Sequence, residues 1–100
     1  MVKHIVLWSL KDELSTEEKA ARAAIIKERL EALRGVVPGL LELTVHCHLL
    51  PASNADLMLD SLLESPQALE GYSAHPAHQK AADECVRPFI KNRLCADCEV

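Results

Sequence analysis

The chain has 100 residues, 49% of them hydrophobic and 26% charged, the profile of one soluble globular domain over residues 1–100 with no room for a second core. Its formal net charge is −4, with 11 Lys and Arg scattered among 15 Asp and Glu, which argues against a phosphate-tracking surface and against nucleic acid as a partner. The apolar run Ile5–Trp8 lies between Lys3, His4 and Lys11, Asp12, Glu13, too short for a signal segment or a membrane span, so a cytoplasmic protein without membrane attachment is expected.

The first predicted element is a strand over about Val2 to Leu10, with His4, Val6, Trp8 and Leu10 on one face and Ile5 and Leu7 on the other. Ser15-Thr-Glu-Glu18 has capping-box spacing and opens a helix to about Arg34, stopped by Gly35, with Ala23, Ile26, Leu30 and Leu33 as its apolar stripe. Pro38-Gly39 turns the chain into a strand from Leu40 to about His48, alternating Leu41, Leu43, Val45 and Cys47 against Glu42, Thr44, His46 and His48. After a loop at Pro51–Asn54, a third strand runs from Asp56 to about Leu63. Ser65-Pro66 starts a short helix to about Tyr72, and Pro76 takes the first-turn position of another, ending near Ile90 with Ala81, Cys85 and Phe89 inward. Asn92 to about Glu99 reads as the last strand, with Leu94, Ala96 and Cys98 on one face and Cys95, Asp97 and Glu99 on the other.

This order, βαββαβ, is that of a ferredoxin-like α+β sandwich, with helices on one face of the sheet only. The first and third strands are nonetheless apolar on both faces, and no further helix exists to cover the second. A second copy packed sheet to sheet meets that need, so a homodimer forming a closed or nearly closed α/β barrel is expected. Cys47, Cys85, Cys95 and Cys98 read as free thiols, since a chain with its own apolar core needs no disulfide framework. Cys95-x-x-Cys98 sits in an extended pattern that points its two sulfurs to opposite faces.

The chemistry concentrates in Tyr72-Ser-Ala-His75-Pro-Ala-His78, which holds the one tyrosine and two of the five histidines. A phenol beside an imidazole can polarise a carbonyl and move a proton near neutral pH. His78 in the first turn of a helix would be kept neutral by the dipole, as a general base must be, while Tyr72 could donate its hydroxyl to a developing enolate oxygen. His4, Val6, Trp8, Leu10, Met58 and Leu62 are candidates for a substrate-binding wall, with His75 beside them. Each polar member also has a structural alternative: His75 as a helix cap, His78 bonded to a backbone carbonyl, Tyr72 packed at a helix end, His4 satisfied in the interior. A further possibility is metal binding by His46 and His48, two apart on one strand, with Glu42 on the same face.

Val2-Lys3-His4-Ile5-Val6-Leu7, Pro38-Gly39, Asp56-Leu57-x-Leu59 and above all Tyr72-x-x-His75-Pro76-Ala77-His78 resemble the stress-responsive A/B barrel (Dabb, dimeric α+β barrel) family over essentially the whole chain. The resemblance implies the same fold and dimer. The chain is distantly similar to one plant branch, olivetolic acid cyclase, which closes a linear polyketide into a ring by aldol condensation. Its catalytic tyrosine and histidine match Tyr72 and His78, and a further pocket histidine matches His4. The functions so implied are a small carbonyl- or aromatic-metabolite-binding barrel and, alternatively, a cyclase or lyase that needs no cofactor, with His78 as base and Tyr72 as oxyanion donor.

Overall fold

The structure, a computed structural model, describes residues 1–100. Four strands, β1 (Val2–Leu10), β2 (Leu40–His46), β3 (Leu57–Leu63) and β4 (Ile90–Glu99), form one antiparallel sheet in the order β2-β3-β1-β4. Helices α1 (Thr16–Glu31), α2 (Pro66–Ala74) and α3 (Pro76–Ala81) lie on one face of it. This is the ferredoxin-like βαββαβ arrangement. No helix is long and apolar enough to cross a membrane.

Alternation in β1 and β3 decides which side chains meet the helices. Val2, His4, Val6, Trp8 and Leu10 of β1 are buried, as are Leu57, Leu59, Ser61 and Leu63 of β3. All of these except Val2, His4 and Ser61 close on Ala23, Ile26, Leu30 and Leu33 of the α1 segment in a single cluster of 18 buried residues. The capping box forms as spaced: Glu18 N–H donates to Ser15 Oγ at 3.1 Å and Ser15 N–H to Glu18 Oε1 at 2.9 Å. Asp56 ties the start of β3 to the end of β1, accepting from Leu10 N at 2.7 Å while its own N–H donates to the Trp8 carbonyl at 2.9 Å.

The boundaries differ from expectation at several places, with β4 beginning at Ile90 rather than Asn92 and α2 reaching Ala74 rather than Tyr72. Helix α1 stops at Glu31 rather than Arg34, where the winding tightens so that Leu33 N–H donates to the Leu30 carbonyl and Arg34 N–H to the Glu31 carbonyl, and the chain then unwinds to Gly35 at φ +80°. In β2 a bulge between Leu40 and Glu42 shifts the alternation, so Leu40 is buried and Leu41 is exposed. Strand β2 also ends at His46, leaving His48 beyond it. Helix α3 covers only Pro76–Ala81. Pro88 has no N–H to donate to Glu84, and the winding before it widens into a π-turn over Ala82–Val86 in which Arg87 N–H reaches the Ala82 carbonyl. A 3₁₀ turn, Arg87–Phe89, then leads directly into β4.

The other face of the sheet carries Ile5, Leu7, Met58, Leu62, Leu94 and Ala96, crossed by the Lys3–Asp60 ion pair at 3.0 Å. No element of the chain covers it. Leu94 is 70% exposed.

Candidate functional site

Helices α2 and α3 are separated by one extended residue, His75 (φ −64°, ψ 133°), the conformation that a following proline demands. On an unbroken helix, residues six apart would stand about 120° apart around the axis. The break instead brings Tyr72 and His78 together with ring centroids 4.4 Å apart. His4, reaching up from β1, stands edge-on to Tyr72 at 6.0 Å.

These three rings share the wall of a cavity of about 330 Å³, together with Val6, Trp8 and Leu59 from the sheet and Arg93 from β4. Ser73, Gln79, Ala82, Val86 and Arg87 close the helical side. Tyr72 is 1% exposed, yet its hydroxyl has no hydrogen bond to the protein and is not sealed in the core, so it opens to this cavity. Burial pushes its pKa up to about 12 against a small opposing effect of Arg93, so the phenol stays protonated and able to donate.

His78 Nδ1 lies 3.2 Å from the Ser73 carbonyl, which also accepts from Gln79 Nε2 at 2.6 Å. A carbonyl only accepts, so Nδ1 carries the proton and Nε2 keeps its lone pair. Burial lowers the His78 pKa below its ordinary value; the Ser73 bond opposes this, and the charges of Arg87, His4 and Arg93 add to it. The side chain is therefore a neutral base at physiological pH, and desolvation is the main reason. His4 Nδ1 is hydrogen-bonded to Asp97 Oδ1, which fixes that ring's tautomer in the same way.

The structure thus brings His4, Val6, Trp8, Tyr72 and His78 to one cavity and leaves Leu10, Met58, Leu62 and His75 outside it. Met58 points to the opposite face of the sheet, because it lies one residue out of phase with the inward Leu57 and Leu59. His75 turns its Nδ1 to accept from Ala77 N–H at 3.1 Å and caps α3. His46 and His48 do not share a strand face, since β2 ends between them, and no third donor joins them. The donors that do gather are His4, Cys95 and Asp97, within 4.8 Å of one another, and these are the residues that could hold a metal. Burial and the Asp97 charge push the Cys95 thiol up, which keeps it protonated as it stands.

Arg93, Arg87 and Asp97 are not singled out by spacing in the sequence. Pairing β4 antiparallel to β1 sets Asp97 opposite His4 and Arg93 opposite Trp8, but alternation within β4 alone leaves that register open.

The sequence matches the Stress Responsive A/B Barrel Domain, Dabb, over residues 2–100. The chain belongs to this family. Among solved structures, a dimeric protein of unknown function with a ferredoxin-like fold from Bacteroides fragilis NCTC 9343 is 29% identical, with TM-score 0.91 over 99% of this chain and 95% of that one. A Dabb family protein with a ferredoxin-like fold from Mesorhizobium loti shares 15% identity at TM-score 0.76, covering 99% and 95% of the two chains. The hydroxynitrile lyase from Passiflora edulis has the same fold at 20% identity and TM-score 0.77, over 97% of this chain and 90% of its own. No curated protein matches this Dabb chain in sequence.

Proposed function

We propose that this Dabb protein binds a small carbonyl compound in the cavity under α2 and α3 and acts on it by cofactor-independent proton transfer of the lyase or cyclase type. The observation that carries this is the pairing of Tyr72 and His78, rings 4.4 Å apart on one cavity, with the phenol hydroxyl and the imidazole Nε2 both free. In the step this geometry suits, His78 Nε2 removes a proton from the carbon next to the carbonyl. The electron pair of the broken C–H bond becomes the carbon–carbon double bond of an enolate while the carbonyl π pair moves onto oxygen, and the Tyr72 hydroxyl donates to that oxygen as charge develops. Val6, Trp8 and Leu59 keep water from the reacting carbon and strengthen both interactions. That the same fold serves a hydroxynitrile lyase supports chemistry of this kind.

The test is hydrogen–deuterium exchange next to the carbonyl of small methyl ketones, aromatic ketones and oxo acids in D₂O, followed by NMR. At least one compound should exchange faster with the protein. His78→Ala should abolish the acceleration, and Tyr72→Phe should reduce it by about 10²-fold, typical for loss of one oxyanion donor. Exchange that continues unchanged in His78→Ala would leave a binding protein without this catalysis.

The same proposal includes a second copy seated on the uncovered sheet face. Its support is the apolar group Ile5, Leu7, Met58, Leu62 and Leu94, together with the dimeric state described for the B. fragilis relative.

A further inference from the structure

We propose that the carbonyl compound taken by the cavity carries a carboxylate and that Arg93 is the residue that pairs with it. This rests on the cavity being the ligand site.

The chain is acidic, with 15 Asp and Glu against 11 Lys and Arg, yet the wall of this cavity holds two arginines, Arg87 and Arg93, and no Asp or Glu. An unpaired cation on such a wall attracts an anion through the local field. The two arginines differ in how free they are. Arg87 is committed to Asp83, with Gln79 Oε1 3.3 Å away. Arg29 pairs with Glu84 at 3.0 Å, Arg34 with Glu31 at 3.9 Å, and Arg22 lies 3.5 Å over the Phe89 ring. Arg93 alone of the five arginines has neither a carboxylate nor an aromatic ring as partner.

Its neighbours do not supply one. Asp97 lies four residues further along β4, beyond Cys95, whose thiol neighbours both side chains and stands 3.6 Å from Asp97 Oδ1, but its carboxylate is bonded to His4 and not to Arg93. Glu70 lies with Arg93 along the groove adjoining the cavity but forms no ion pair with it. The Arg93 charge already acts on the catalytic pair, opposing the rise in Tyr72 and lowering His78, so a ligand anion placed at Arg93 lies within reach of both. A guanidinium presents a planar fork that grips a carboxylate through two parallel hydrogen bonds. With one end fixed in that way, the carbonyl is directed to Tyr72 and the adjacent C–H to His78. At about 330 Å³ the cavity is at the small end for ligand pockets, which favours a short oxo acid over an extended polyketide.

The experiment compares acetoacetate and 2-oxobutanoate with their neutral methyl esters, by calorimetric titration of wild type, Arg93→Gln and Arg93→Lys. An oxo acid should bind wild type at least about tenfold more tightly than its ester, a difference worth about 1.4 kcal/mol, and added salt should weaken only the acid. Arg93→Gln should erase that preference by weakening the acid far more than the ester, and Arg93→Lys should restore part of it. Esters that bind wild type as tightly as acids overturn the carboxylate inference while leaving the carbonyl site standing, and a preference that survives Arg93→Gln overturns the role of Arg93. If neither acids nor esters bind, the carbonyl site fails together with the inference.

Discussion

The single tyrosine of the chain makes the state of the site directly observable. With its pKa pushed up to about 12 by burial, Tyr72 should show no phenolate absorbance at a pH where a free tyrosine, at 10.0, is already half ionised. Arg93 opposes that rise, so Arg93→Gln should move the titration higher still. A midpoint at the free value in the folded protein would mean that the hydroxyl is not held in the cavity as described. His78 predicts a pH effect of opposite sense. Its folded pKa lies below 6.5, so between the folded value and 6.5 the unfolded chain binds a proton that the folded chain refuses. Stability contributed by the neutral ring is complete above 6.5 and is lost as pH falls from there through the folded value. The urea midpoint should therefore drop more between about pH 7.5 and about pH 5 in wild type than in His78→Gln, and equal drops would remove the assignment. At this scale the sequence shows Tyr72, His78 and the inward row of β1 plainly, because one proline and one alternation place them. Arg93 and Asp97 are not legible there, since their roles depend on which residue of β1 each one faces.

Turns and helix breaks carry the next layer, and the glycines test it. Gly39 sits at φ +80° before β2, and a Cβ there would stand 2.6 Å from Ala68 Cβ of α2. Gly39→Ala should cost at least about 2 kcal/mol, from the backbone conformation and the collision together. Gly35 has the same φ with nothing within 4 Å, so Gly35→Ala should cost only about 1 kcal/mol. Gly71 lies inside α2 next to Tyr72 with open space around it, and Gly71→Ala should stabilise by about 0.5–1 kcal/mol. Urea denaturation of the three variants gives the ranking, and a Gly39→Ala no worse than Gly35→Ala would show that α2 does not press on the turn. Periodicity and caps make the elements and their order readable. The bulge at Leu41 is not, because Leu40 and Leu41 are the same residue type and only the pairing with β3 decides which turns inward. The extent of α3 is likewise hidden: Pro88 announces an interruption, but the winding answers it several residues earlier.

For the molecule as a whole, the sheet face without helices decides assembly. Leu94, on the edge strand β4, lies 70% exposed on that face, opposite Leu7 on β1. Leu94→Asp should convert a dimer to a monomer in sedimentation while leaving the circular dichroism of the fold intact, because the helix-side core does not include it. A wild-type chain that sediments as a monomer would remove the second copy. This surface is visible in the sequence as strands apolar on both faces, the same pattern that excludes a sheet open to water on one side. Its distance from the Tyr72 cavity, which lies across the sheet, means that dimer disruption and loss of ligand binding should be separable.

The π-turn at Ala82–Val86 makes the site tolerant of chain length where it is strict about side-chain identity. It takes up one surplus residue and still presents Ala82, Val86 and Arg87 to the cavity before β4 begins. Glu84, exposed and paired only with Arg29, would be judged dispensable by its surroundings, and Glu84→Ala should leave ligand binding as it is. Deleting Glu84 removes the surplus: Val86 and Arg87 would then stand three and four residues after Ala82, on one face of an ordinary helix, so the wall and the register of β4 should both survive. The deletion should therefore bind ligand much as the substitution does. A deletion that lost binding where the substitution kept it would show that the π-turn itself shapes the cavity.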